Sequence, residues 1–116
     1  DIVTDEILKV IVKDKLELKT VFDKLDEIVK TPQYQKYSVI LVDLRQAECS
    51  LSVTSVYRIC EFIAKYSEYR RRQIAIVAGN ELAFDRAKFL ELCTRNRGYR
   101  FGAFKDYEEA ENWLLS

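Results

Sequence analysis

The sequence contains no histidine and no methionine, one proline (Pro32), three glycines and three cysteines. Without histidine, the commonest general base and the commonest transition-metal ligand are both missing. Cys49, Cys60 and Cys93 are odd in number, widely spaced and form no Cys-x-x-Cys pair. That usage fits reduced thiols in a cytosol and offers neither a disulfide framework nor a legible zinc site. Charge of either sign is not in excess, because 19 Lys plus Arg face 19 Asp plus Glu. No net field therefore drives the chain onto nucleic-acid phosphates or anionic lipid surfaces. Long apolar runs are also lacking: Val39 to Val42 and Ile74 to Ala78 fall far short of the roughly 20 residues a membrane helix needs. No charged-then-apolar signal segment opens the chain, and a first residue Asp1 in a sequence without Met indicates that the initiator is missing. The expectation is a cytoplasmic protein with no metal, no cofactor, no nucleic-acid partner and no membrane span.

What is present suits one folded unit. A length of 116 residues, 48% apolar and 33% charged, predicts a single domain over residues 1–116 with one core. Ile7 to Val12 is β-branched and reads as a strand, while any further strand within Asp1 to Thr4 has no defined orientation. From Leu18 the spacing turns helical through Val21, Leu25, Ile28 and Val29, until Thr31-Pro32 stops it. Tyr37 to Asp43 and Ile74 to Ala78 are apolar on consecutive positions, as strands covered on both faces require. Between them lies a loop, Leu44 to Leu51. A helix then starts at Ser52 or Thr54, carries Val56, Ile59, Cys60 and Ile63 inward, and runs to about Ser67. A third helix follows Gly79-Asn80 with Ala83, Ala87, Leu90 and Cys93 inward, and Gly98 suits a left-handed cap beyond it. Tyr99 to Phe104 is the last strand, and Asp106 caps a helix through Ala110, Trp113 and Leu114. Four strands alternating with four helices define an α/β fold: a four-stranded, mostly parallel sheet with helices on both faces.

Such a sheet collects its strand carboxyl ends on one rim, where open α/β folds bind ligands. Here that rim holds Asp43, Arg45, Glu48, Asn80, Glu81, Lys105, Asp106 and Glu108, and the opposite rim holds Lys36, Arg70, Arg71, Arg72, Arg95, Arg97 and Arg100. The basic rim reads either as an anion or partner site or as helix-dipole compensation. Asp43 reads as a metal or catalytic carboxylate, although no second carboxylate stands at a fixed spacing, or as a partner of Arg45. Ser50, Ser52, Thr54 and Ser55 cluster where a phosphate would meet helix-start amides, and where capping also needs hydroxyls. Cys60 and Cys93 read as apolar fillers, whereas the acidic Glu48 weakens Cys49 as a nucleophile. Phe62, Tyr66, Tyr69, Phe84 and Phe89 include residues off the inward stripes, which suggests exposed aromatics for a partner.

Four stretches in order carry a resemblance: Thr31 to Arg45 ending Asp43-Leu44-Arg45, then Ile74 to Ala78, then Asn80-Glu81-Leu82-Ala83-Phe84, and finally Phe104 to Leu114 with its Asp-x-x-x-Ala-x-x-Trp-Leu close. Together they resemble the SpoIIAA-like (STAS-like) family of small bacterial proteins over nearly the whole chain. The resemblance implies a four-turn β/α superhelix, a bacterial cytoplasmic setting and no catalytic activity. Its better-known members are anti-sigma-factor antagonists, switched by phosphorylation of a Ser in an Asp-Ser-Ser-Gly-Leu motif. Ser52 falls near that position, but the sequence reads Ser50-Leu51-Ser52-Val53-Thr54, without the flanking Asp or the Gly. The expected function is a non-enzymatic interaction or regulatory module. It would dock a protein partner, or itself as a homodimer, through the helix starting near Ser52 and the rim holding Ser50, Thr54, Asp43 and Arg45. The alternative is a binder of an apolar small molecule or lipid, in a pocket between helices and sheet lined by Val56, Ile63, Phe84 and Phe89.

Overall fold

The computed structural model describes residues 2–4 and 6–116, so Asp1 and Asp5 lie outside the described residues. The two consecutive apolar runs form the middle of the sheet, as β4 (Val39–Leu44) and β6 (Gln73–Ala78). They are flanked by β2 (Ile7–Ile11) and β7 (Arg100–Phe104), with β1 (Ile2–Thr4) beyond β2. The strand order is β1-β2-β4-β6-β7. β2, β4, β6 and β7 run parallel and β1 runs antiparallel to β2, which makes an added hairpin arm on a four-stranded parallel sheet. Two shorter strands, β3 (Lys15–Leu16) and β5 (Glu48–Cys49), pair separately and lie within segments whose sequence reads as loop.

Parallel neighbours in chain order require each connection to cross over one face, and a constant crossover hand keeps every connecting helix on the same face. α1 (Leu18–Lys30), α2 (Val53–Ile63) and α3 (Glu81–Arg95) accordingly share one face with Leu8, Val10, Ile40, Ile74, Ile76, Phe101 and Ala103. α4 (Tyr107–Leu115) returns to no further strand and covers the other face, where Ala110 and Leu114 meet Ile7, Leu41, Ala75 and Val77. Period-two alternation along each strand sorts these side chains. With both faces covered, the strands become continuous apolar runs.

Local chemistry sets the helix ends. Ser52 accepts the Ser55 amide, Asn80 accepts the Ala83 amide, and Asp106 accepts the Glu108 and Glu109 amides. Gly98 adopts φ +83°, the left-handed conformation a side chain rarely takes. α2 stops at Ile63, short of Ser67. The chain turns there so that a 3-10 segment, Ser67–Arg71, can bury Tyr69, whose hydroxyl donates to the Leu25 carbonyl at 2.5 Å.

Candidate functional site

The three helices do not sit equally close to the sheet. Ala83 and Ala87 are the buried small residues of α3, which lies directly against β6 and β7, whereas α1 leans on α2. α1 and α2 stand farther from the strands and turn larger side chains inward. The result is a cavity of about 380 Å³. Half-buried Val12, Val42, Leu44 and Leu51 border its open part, and Ile40 of β4, Ile74 and Ile76 of β6 and Phe101 of β7, all packed in the core, close it beneath. Val21, Leu25 and Ile28 of α1, Val56, Ile59 and Ile63 of α2, and Ala87 and Leu90 of α3 form the walls. Lys13, Asp14, Asp23 and Glu27, all exposed, together with half-buried Arg86, mark the side that meets solvent. There Arg86 Nε donates to the Leu51 carbonyl at 2.8 Å, and Lys24 pairs with Glu27 at 3.6 Å.

Of the four residues expected to line an apolar pocket, Val56 and Ile63 do so. Phe84 and Phe89 lie half-buried on α3 outside the lining, and the Phe84 ring carries Lys105 Nζ at 4.8 Å instead. Ile59 shares the inward stripe of Val56 and Ile63, so sequence spacing reaches it. Ile76, Val42 and Leu25 enter the lining only because tertiary placement opens the space beside them.

Asp43 and the helix-start hydroxyls have separate sets of partners. Asp43 is 5% exposed. Its carboxylate accepts the Arg45 amide at 3.0 Å, Arg45 Nε at 2.9 Å and Arg45 Nη2 at 2.8 Å. The Arg45 side chain lowers the Asp43 pKa from its ordinary value against the opposing effect of burial. Arg45 also stacks over the Tyr107 ring at 4.4 Å, and Lys9 approaches the same ring while pairing with Glu111 at 2.8 Å. These contacts clamp α4 to the sheet. Asp43 follows Leu41 by two residues and so belongs to the α4 face, opposite the face covered by α2. Ser52 is exposed and donates to Ser55 Oγ at 3.1 Å besides capping, Ser50 Oγ donates to the Leu16 carbonyl at 3.1 Å, and Thr54 is exposed on the first turn of α2. The hydroxyl cluster and the Asp43–Arg45 pair are therefore separate features.

Three further expectations resolve differently from one another. Of the aromatic set, Tyr69 is buried and the other four are half-buried: Phe62 stacks on Phe22 at 4.4 Å, Tyr66 and Tyr69 continue the series, and Tyr69 meets Phe101 at 6.4 Å. Phe62 and Tyr66 leave the inward stripe of α2 in order to meet α1, and Tyr66 donates to Asp26 at 2.6 Å. Cys60 is buried, and burial raises its pKa, whereas Cys49 and Cys93 are half-buried. Among the described residues, no group of three Cys, Asp or Glu is placed to hold a metal ion, and no helix is long and apolar enough to cross a membrane. On the basic rim, Arg95 pairs with Glu91, Arg97 lies over Tyr57 and Arg70 lies over Tyr99, so these three have structural partners.

In comparisons with known proteins, the chain matches no family model, no curated protein and no solved structure.

Proposed function

We propose that the protein is a non-enzymatic binder of an apolar small molecule or single-chain lipid, held in the cavity between α1, α2, α3 and the sheet. The cavity carries this reading. Protein interiors are normally close-packed, and a space of this size walled by Ile, Val and Leu is the form that ligand sites take. If a methylene takes about the 30 Å³ share of a water molecule, the cavity accepts on the order of a dozen chain carbons. The charged residues at its open side suit an amphiphile whose polar end remains in water. Asp43, the carboxylate best placed for chemistry, is committed to Arg45.

Calorimetric titration with decanoate tests the proposal. The expected result is one site with a negative heat-capacity change, the mark of apolar burial. Val21→Phe, at a half-buried position of the lining, fills the cavity and is expected to abolish that binding. An equal heat in wild type and in a folded Val21→Phe protein overturns the reading.

A second reading, docking of a protein partner or a second copy through α2, is favoured by Val53 and Tyr57. They lie one turn apart on α2 and are 47% and 46% exposed. The proposed kinship with the SpoIIAA-like family rests on the four sequence stretches that carry the resemblance. Sedimentation of wild type and Tyr57→Lys separates the docking reading: a dimer that Tyr57→Lys dissociates supports it, and a monomer throughout removes the self-association version.

A further inference from the structure

A second cavity of about 400 Å³ opens at the opposite rim, where the strands begin, with Lys36, Ser38, Glu68, Arg71 and Arg72 in its lining. Strand register assembles it. Val39 pairs with Gln73 in adjacent parallel strands, and the Gln73 amide donates to the Ser38 carbonyl at 2.8 Å. The residues entering β4 and the residues entering β6 are thereby brought side by side, although more than 30 positions separate them in the chain.

Arg72 and Tyr99 are the two described residues with a buried side-chain polar atom that lacks a partner, and of the two only Arg72 carries a charge. It is only 4% exposed, and its Nη1 is closed off from solvent with no hydrogen-bond partner. Among the described residues no ion pair holds its guanidinium. Burial lowers its pKa, but a guanidinium stays protonated at any ordinary pH, so the charge persists inside the protein. Buried unpaired charge is costly, and proteins keep it where a counter-charge arrives. The neighbours make the electrostatics worse rather than better. Arg71 repels Arg72, and Lys36 adds a third cation, resting at 5.4 Å from the Tyr37 ring. Glu68 attracts Arg72 without reaching contact.

We propose that this cavity binds a phosphate-type oxyanion. The exposed Arg71 guanidinium, the Lys36 ammonium and the Ser38 hydroxyl supply the donors, the Arg72 guanidinium contributes its charge from the wall, and Glu68 opposes them. Phosphate is suited because it has no shortage of acceptor oxygens and matches the planar fork of an arginine. The cavity exceeds what the bare ion fills, which leaves room for the group that carries the phosphate. The site stands apart from the apolar cavity, on the opposite rim of the sheet, and does not depend on it.

The test is thermal unfolding in a phosphate series, with chloride making up constant ionic strength. Phosphate is expected to raise the melting temperature of the wild type with a saturable dependence, as a ligand of the native state does. Arg71→Ala, at an exposed position, is expected to raise the half-saturating phosphate concentration about tenfold through loss of a charge-assisted contact. Glu68→Gln is expected to lower it several-fold. Arg72→Met is expected to melt higher than wild type in chloride and to lose the phosphate response. Identical melting in phosphate and chloride overturns the proposal, and so does a phosphate response unchanged in the folded Arg71→Ala protein.

Discussion

Replacing Glu91 with alanine isolates the contact that ties α3 to the edge of the sheet. β7 is an edge strand, so the amides on its outer side lack a neighbouring strand, and the Ala103 amide donates to Glu91 Oε1 at 2.8 Å instead. Glu91 Oε2 meets Lys88 at 2.9 Å and Arg95 at 3.0 Å, and the residue is 5% exposed. Loss of a hydrogen bond to a charged acceptor costs about 1.5–3 kcal/mol. The two ion pairs reach exposed partners and contribute less than about 1 kcal/mol each. Glu91→Ala is therefore expected to lose about 2–4 kcal/mol, which at roughly 4 °C per kcal/mol lowers the melting temperature by about 8–16 °C. Glu91→Gln keeps an acceptor for the Ala103 amide and should lose about 1 kcal/mol. Burial pushes the Glu91 pKa upward, but the Ala103 amide, Lys88 and Arg95 outweigh it and hold the carboxyl below its ordinary 4.5. A depressed carboxyl contributes stability that is complete above the unfolded value and is lost as pH falls through the folded one. The advantage of wild type over Glu91→Gln should accordingly shrink below pH 4.5. Urea unfolding of the three proteins across that range is the assay. A Glu91→Ala protein within about 0.5 kcal/mol of wild type, inside the ordinary range for surface changes, refutes the reasoning.

Two other substitutions probe the frame around the apolar cavity. A Cβ on Gly79 would stand 2.7 Å from the Arg45 carbonyl oxygen and 2.9 Å from Arg45 Cα; both are backbone atoms, so Gly79→Ala should force the ends of β4 and β6 apart and cost about 1–3 kcal/mol in urea unfolding. Tyr69→Phe removes the hydroxyl that donates to the Leu25 carbonyl and should cost about 1–2 kcal/mol by the same measurement.

Much of this architecture is readable in the chain because it depends on neighbouring residues. Val39 to Val42 and Ile74 to Ala78 declare strands covered on both sides, Pro32 stops a helix, and Ser52, Gly98 and Asp106 mark helix ends through their own chemistry. Other features arise only when distant segments meet. β3 and β5 are two residues each, too short to carry a period. Tyr69 sits in a charged stretch, Ser67 to Arg72, that reads as surface until the turn after Ile63 drives it into the core. Arg72 in the same stretch reads as one more exposed arginine, and its burial follows from the register of β4 against β6. The apolar stripe of α2 names Val56, Ile59 and Ile63 as inward, yet no local pattern tells a filled interior from a gap. That distinction comes from how far α1 and α2 stand from the strands. Phe84 and Phe89 show the converse, since their size and apolarity suit a pocket lining that their face of α3 does not reach.

The claim that the helix-side gap receives an apolar ligand is tested most directly by methyl-resolved NMR of the protein titrated with decanoate. The account predicts saturable shifts concentrated on Val56, Ile59, Ile63 and Ile76, with the α4-face methyls of Leu41, Val77 and Leu114 unmoved. Shifts spread evenly over both faces, or confined to the exposed Val53 and Leu82, would contradict it.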